Sequence, residues 1–165
     1  MSVILGRSLR TILIAAFAAS ALIAVTSTRT SAKPAQDRVT GGFTDSFEEN
    51  VGLQAQSGPN GENPSGHENA TRPGGTRYRL DVTCLAVDGN IAAYTTLMIK
   101  SNNPSFPPGT QFVEVVRDSG LPGGEGDGWT IFDVPPADPA NCADFLDAAA
   151  SADDILGGNI VVRDA

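Results

Sequence analysis

Two alternating runs joined by a tight turn constrain this chain more than any other feature. From Tyr78 onward, Tyr78, Leu80, Val82, Cys84 and Ala86 alternate with Arg79, Asp81, Thr83 and Leu85. Asp88-Gly89-Asn90 then separates this run from Ile91 to Ile99, where Ile91, Ala93, Leu97 and Ile99 share a face. A period of two puts successive side chains on opposite faces of a strand, and a Gly-centred dipeptide turn between two such runs is the signature of a β-hairpin.

The rest of the chain repeats that grammar. Its 18 glycines and 11 prolines fall in clusters between short apolar runs rather than in one low-complexity tract. Val39–Phe43, Asn50–Gln56, Thr110–Arg117, Trp129–Val134 and Leu156–Arg163 read as further strands. Ser57 to Gly66 reads as a long turn-rich loop, Phe106-Pro107-Pro108-Gly109 as a break, and Gly120 to Gly128 as a Gly-rich turn. Asp138 to Ala152 has no β-branched run and is expected to form a short helix or turn near residues 140–150. The spacing predicts an all-β chain, a single antiparallel β-sandwich or barrel of about seven or eight short strands, since a parallel sheet would need long crossover helices.

The first 32 residues follow a different pattern. Arg7 and Arg10 precede an uncharged stretch from Thr11 to Val25, after which the chain turns polar and reaches Ala32 with Thr30 at the −3 position of a cut after it. This order of charge, apolar core and small residues is that of a secretory signal peptide cleaved after Ala32. An earlier site near Val25-Thr26-Ser27 is the alternative boundary. An uncleaved membrane anchor is the alternative role, because the uncharged run can be counted from Thr11 to Thr28. Residues 33–38 are expected to be a disordered leader, and 39–165 one β-rich domain.

Removing 32 of 165 residues leaves 133, enough for one core that buries roughly two-thirds of the unfolded surface. Three cations leave with the leader and no acid does. Eight basic residues then face 19 acidic ones, and the net charge moves from −8 to −11. Nucleic acid and anionic membrane are excluded as partners on that balance; a membrane contact enters only through an uncleaved leader, and an extracellular protein or glycan is the remaining partner class. Exactly two cysteines occur, and an exported chain would oxidise them, so Cys84 and Cys142 are predicted to form a disulfide.

Catalytic patterns are sparse. His67 is the one histidine, it lies in a Gly/Pro-rich stretch, and no serine sits in a G-x-S-x-G turn. Among 19 acids the sequence singles out no pair for carboxylate chemistry. Glu125 and Asp127 in a glycine-rich turn, with Asp118 across it, are the candidates for calcium, although the full spacing of a calcium loop is missing. No other cofactor is indicated. Phe106, His67 and Trp129 are the candidate binding residues; Trp129 is expected in the core and Phe106, beside two prolines, on the surface.

The string Ala55-Gln56-Ser57-Gly58-Pro59-Asn60-Gly61-Glu62-Asn63-Pro64-Ser65-Gly66, followed by Val82-Thr83-Cys84-Leu85-Ala86-Val87-Asp88-Gly89-Asn90-Ile91-Ala92, resembles small exported β-rich domains of uncharacterised bacterial secreted proteins. Asp118-Ser119-Gly120-Leu121-Pro122-Gly123 and the closing Leu156-Gly157-Gly158-Asn159-Ile160 extend the likeness over about residues 39–163. The resemblance implies a secreted or cell-envelope β-domain with no catalytic residues to carry over. The functional expectation is therefore a non-catalytic binding or structural domain. A small extracellular carboxylate-based hydrolase and a calcium-stabilised module are the alternatives.

Overall fold

The computed structural model describes residues 35–134 and 141–165. Residues 1–32, read above as a signal peptide, lie outside them, as does the Pro135-Pro136 break. Among the described residues nine strands form one curled, half-barrel antiparallel sheet: β1 (Asp37–Thr44), β2 (Asn50–Ser57), β3 (Ser65–Thr71), β4 (Arg77–Asp88), β5 (Ile91–Ser101), β6 (Gln111–Arg117), β7 (Gly128–Val134), β8 (Asp153–Asp154) and β9 (Gly157–Arg163). Their order is β8-β7-β6-β5-β4-β3-β2-β1-β9. All-β antiparallel architecture is as the alternation predicts, but a single sheet replaces the two layers of a sandwich. Two strands were not foreseen, β3 and the two-residue β8. Asp37 and Arg38, expected in a disordered leader, already pair in β1, and Asp37 is buried, its carboxylate accepting from the Ala165 amide at 3.1 Å.

β3 runs through Ser65-Gly66-His67-Glu68-Asn69-Ala70-Thr71, a stretch with no β-branched or aromatic residue except its terminal threonine. Its pairing with β2 and β4 holds it extended, so tertiary context overrides weak propensity. Gly66 is required there: at φ 150° a Cβ would run into the Gln54 carbonyl of β2.

The interior of the curl holds one core, including Val39, Phe43, Leu53, Leu80, Val82, Leu85, Tyr94, Val116, Trp129 and Ile160. A second, smaller core covers part of the outer face, where Ala93, Val115 and Cys84 meet Cys142, Phe145 and Ala149 of the 3-10 segment Cys142–Ser151. One irregularity in β4 serves both. Tyr78, Leu80 and Val82 point inward, but the register with β5 shifts between Val82 and Cys84. Beyond the shift Leu85 is inward, and Cys84 and Ala86 are outward. The Cys84–Cys142 disulfide, with Cα atoms 6.0 Å apart, thereby fastens the 3-10 segment to the outside of the sheet. On β5 the core-facing set is Ala92, Tyr94 and Met98, the opposite parity to the expected apolar face; Ile99 is exposed.

The outer edge of β9 meets the β6–β7 connection through side chains rather than a strand ladder. The Ile160 amide donates to Asp127 Oδ2 at 2.7 Å, and the Val162 amide donates to Asp118 Oδ2 at 3.0 Å. Two carboxylates thus satisfy alternate amides that an unpaired edge would leave open.

Candidate functional site: an acid-floored pocket

Three alternate connections, β1–β2, β3–β4 and β5–β6, converge with several strand ends at one end of the curl. The β1–β2 turn contributes Asp45, Phe47 and Glu49, β3 contributes Glu68 and Ala70, and Arg72 follows it. The β5–β6 loop contributes Phe106, and β6 and β7 contribute Phe112, Glu114, Trp129 and Ile131. They line a half-open pocket of about 570 Å³. That is within the range of small-molecule sites, and its walls are mostly aromatic and aliphatic, as such sites require.

Polar groups are confined to two places. On the floor, Glu114 interrupts the apolar run Phe112-Val113-Glu114-Val115-Val116 and is fully buried. Thr96 Oγ1 donates to its Oε1 at 3.0 Å, and Trp129 Nε1 donates to its Oε2 at 3.0 Å. Tyr94 Oη lies 3.0 Å from Glu114 Oε2 and 3.0 Å from Glu68 Oε2. A phenol has one proton to give, so it donates to one of these oxygens and accepts from the other, and a carboxyl oxygen donates only when protonated. Glu114 already receives two other donors; Glu68 has none. The geometry therefore places a proton on Glu68.

Electrostatics run the same way. Burial pushes the Glu68 carboxyl well above the usual range, and the neighbouring Glu114 charge pushes it further. Burial raises Glu114 too, but hydrogen bonds from Glu68, Trp129, Thr96 and Tyr94 oppose it. Tyr94 is held well above its ordinary value by burial and by the two glutamates. Burial favours a proton on this pair, and the donors already at Glu114 make Glu68 the carboxyl that holds it more readily.

At the mouth, Arg72 Nε donates to Glu49 Oε1 at 2.6 Å and its Nη2 contacts the same oxygen. The guanidinium also lies over the Tyr78 ring, 5.8 Å from its centroid. Asp45 Oδ1 accepts from the Phe47 and Glu49 amides at 2.9 and 2.8 Å and so shapes the turn. Asp45 Oδ2 is sealed from solvent and has no hydrogen-bond partner among the described residues. Burial raises the Asp45 carboxyl above its ordinary value, with the two amides and Arg72 opposing. Phe47 is 56% exposed yet packs edge-on against Trp129, with ring centroids 6.1 Å apart, as a flap over the opening.

Of the residues singled out by sequence, Trp129 is in the core, as expected, and also lines the cavity. Phe106 is not free on the surface: it is half-buried, edge-on to Tyr78 and Phe112 at 6.3 and 5.7 Å, because the Pro107-Pro108 turn folds the loop back over the cavity. His67 is exposed on the outer face of β3, one residue from Glu68 and away from the cavity. Asp118 and Asp127 meet at the β9 seam, Asp127 also accepting from the Ser119 amide and hydroxyl at 2.8 and 2.9 Å, while Glu125 is exposed. No three metal-ligating side chains gather at one point among the described residues. Sequence reasoning missed Glu68, Glu114, Asp45, Glu49 and Arg72. Glu114 had a signal, a lone acid inside a five-residue apolar run; Glu68 had none without β3.

The assembled object is a curled antiparallel sheet around an apolar cavity with an acid pair on its floor. No protein-family model, curated protein or solved structure matches the chain. Among the described residues no helix is long and apolar enough to cross a membrane.

Proposed function

We propose that this chain is an exported domain that binds a small, largely apolar molecule inside its sheet, without chemical turnover. The observation that carries the reading is the cavity of about 570 Å³ between Trp129, Phe106, Phe112 and Met98, whose few polar groups are concentrated at the floor and the mouth. Export is supported by the charge and hydropathy order of the first 32 residues together with the Cys84–Cys142 bond.

The acid pair favours hydrolysis less than its depth suggests. Glu68 and Glu114 share the Tyr94 hydroxyl, each with an oxygen 3.0 Å from it. Glycoside cleavage by two carboxyl groups needs the sugar between them, and here the Tyr94 hydroxyl stands in that position. Glu114 also spends its oxygens on Thr96, Tyr94 and Trp129, which leaves it poorly placed to take a proton from water. The pair acts instead as a polar floor that fixes Trp129 and Tyr94 in one arrangement.

Trp129 is the only tryptophan, so its indole N–H resonance is a single reporter on the cavity. A fragment screen read on that resonance should find apolar fragments that shift it together with Met98 and Phe112. Shifts confined to the outer face around Phe145, or no shift with any fragment, would overturn the proposal.

A further inference from the structure

We infer that the molecule taken up is an apolar alcohol, whose hydroxyl donates to Glu68 Oε1 at the floor of the pocket. This rests on the binding reading above and adds the ligand's polar group and the atom that receives it.

Within the floor network Tyr94 and Glu114 keep no exposed surface, whereas Glu68 keeps 4%. β3 turns Glu68 and Ala70 inward and leaves His67, Asn69 and Thr71 exposed on its other side, so what remains open of Glu68 faces the pocket that it lines. Its two oxygens differ. Oε2 lies 3.0 Å from Tyr94 Oη, and Oε1 receives no hydrogen bond from any described residue. Among the described residues Asp45 Oδ2 is the one buried side-chain oxygen that is both unpartnered and sealed; Glu68 Oε1, unpartnered as well, is therefore within reach of the pocket. A lone polar atom at the bottom of an apolar pocket is the kind of group that fixes a ligand's orientation.

Counting protons gives that atom its polarity. Tyr94 Oη sits 3.0 Å from Glu68 Oε2 and from Glu114 Oε2 and has one proton to give. When it gives that proton to Glu114, Glu68 Oε2 supplies the one it accepts, and Oε1 is left as the carbonyl oxygen of a neutral acid. An ionised Glu68 would present Oε1 as an acceptor too. No donor stands free beside it: Trp129 Nε1 and Thr96 Oγ1 give their protons to Glu114, and Tyr94 gives its own to the acid pair. A ketone, ester or carboxylate seated there would set its lone pairs against those of Oε1 and find nothing to accept from. A hydroxyl brings the missing proton, and its apolar body fills the space between Phe106, Phe112, Met98 and Trp129.

The test titrates the purified protein with two probes of one skeleton, 1-(1-naphthyl)ethanol and 1-acetonaphthone, read on the Trp129 indole resonance. The alcohol should bind about tenfold more tightly, because the ketone displaces water from Oε1 and leaves it unpaired. Glu68→Gln keeps an oxygen at that place and should keep the ratio; Glu68→Met has none and should bring the two probes level. Equal binding in the wild type, or an alcohol preference that survives in Glu68→Met, would overturn the inference while the binding reading stands. Failure of both probes to bind would remove both. Should Glu68→Met not fold, infrared difference spectra of the wild type decide: a carboxyl stretch that is absent from Glu68→Gln should move to lower frequency with the alcohol and not with the ketone, and an unmoved band would overturn the inference.

Discussion

Replacing Glu68 by glutamine should flatten the pH dependence of stability. In the unfolded chain a glutamate releases its proton near pH 4.3. In the folded chain burial and Glu114 hold that proton well above this value. Between the two values the native state binds a proton that the unfolded state has lost, so stability falls as pH rises, by about 1.4 kcal/mol per pH unit. The contribution is fully present below the unfolded value and is lost as pH climbs through the folded one. For a domain of this size the slope corresponds to roughly 3–6 °C of melting temperature per pH unit. Glu68→Gln keeps a donor toward Tyr94 and Glu114 but has nothing to titrate, so between pH 5 and pH 7 its melting temperature should lose that component. Glu114, Asp45, Glu49 and Asp37 are raised by burial as well, so the difference between the two proteins is the quantity to read. Thermal melts by circular dichroism at half-unit intervals measure it. Parallel curves for wild type and Glu68→Gln would refute the placement of the proton.

Tyr94→Phe removes the bridge between the two acids and should cost about 1–3 kcal/mol, more at pH 8 than at pH 5, in urea melts. Reduction of Cys84–Cys142, which closes a separation of 58 residues, should lower stability by about 4 kcal/mol in the loop-closure account. Intact mass should rise by two hydrogens on reduction, and an unchanged melt would show that the 3-10 segment holds without its tether. Asp127→Asn turns an acceptor of three hydrogen bonds into a group with one carbonyl; a loss of about 2–3 kcal/mol with faster amide exchange at Ile160 is expected, whereas unchanged exchange would mean that the seam does not depend on it.

The hairpin of β4 and β5 was legible because alternation and a Gly turn coincide there, and β2, β6, β7 and β9 fall close to their apolar runs. The parity of the hairpin was not. The shift between Val82 and Cys84 reverses which side chains face inward, and both faces of β5 are covered, so Ala93 and Tyr94 are equally buried although they point in opposite directions. β3 was invisible for a different reason: Ser65 to Thr71 is extended by its neighbours rather than by its own preferences. That omission hid the site, since Glu68 becomes a cavity residue only once β3 exists. The disulfide needed no geometry to foresee. Asp118 and Asp127 were read as calcium candidates, whereas here they accept from amides of β9 that lie more than 30 residues further along the chain.

The central claim is that the cavity beside Trp129 accepts an apolar body, and the most direct measurement is energy transfer from Trp129 to the neutral probe N-phenyl-1-naphthylamine. Ala70, buried on the cavity wall, offers the control, because Ala70→Phe fills the space from β3 without altering any polar group. The account predicts saturable transfer at one probe per chain in the wild type and its loss in a folded Ala70→Phe variant. Equal transfer in both proteins would contradict it.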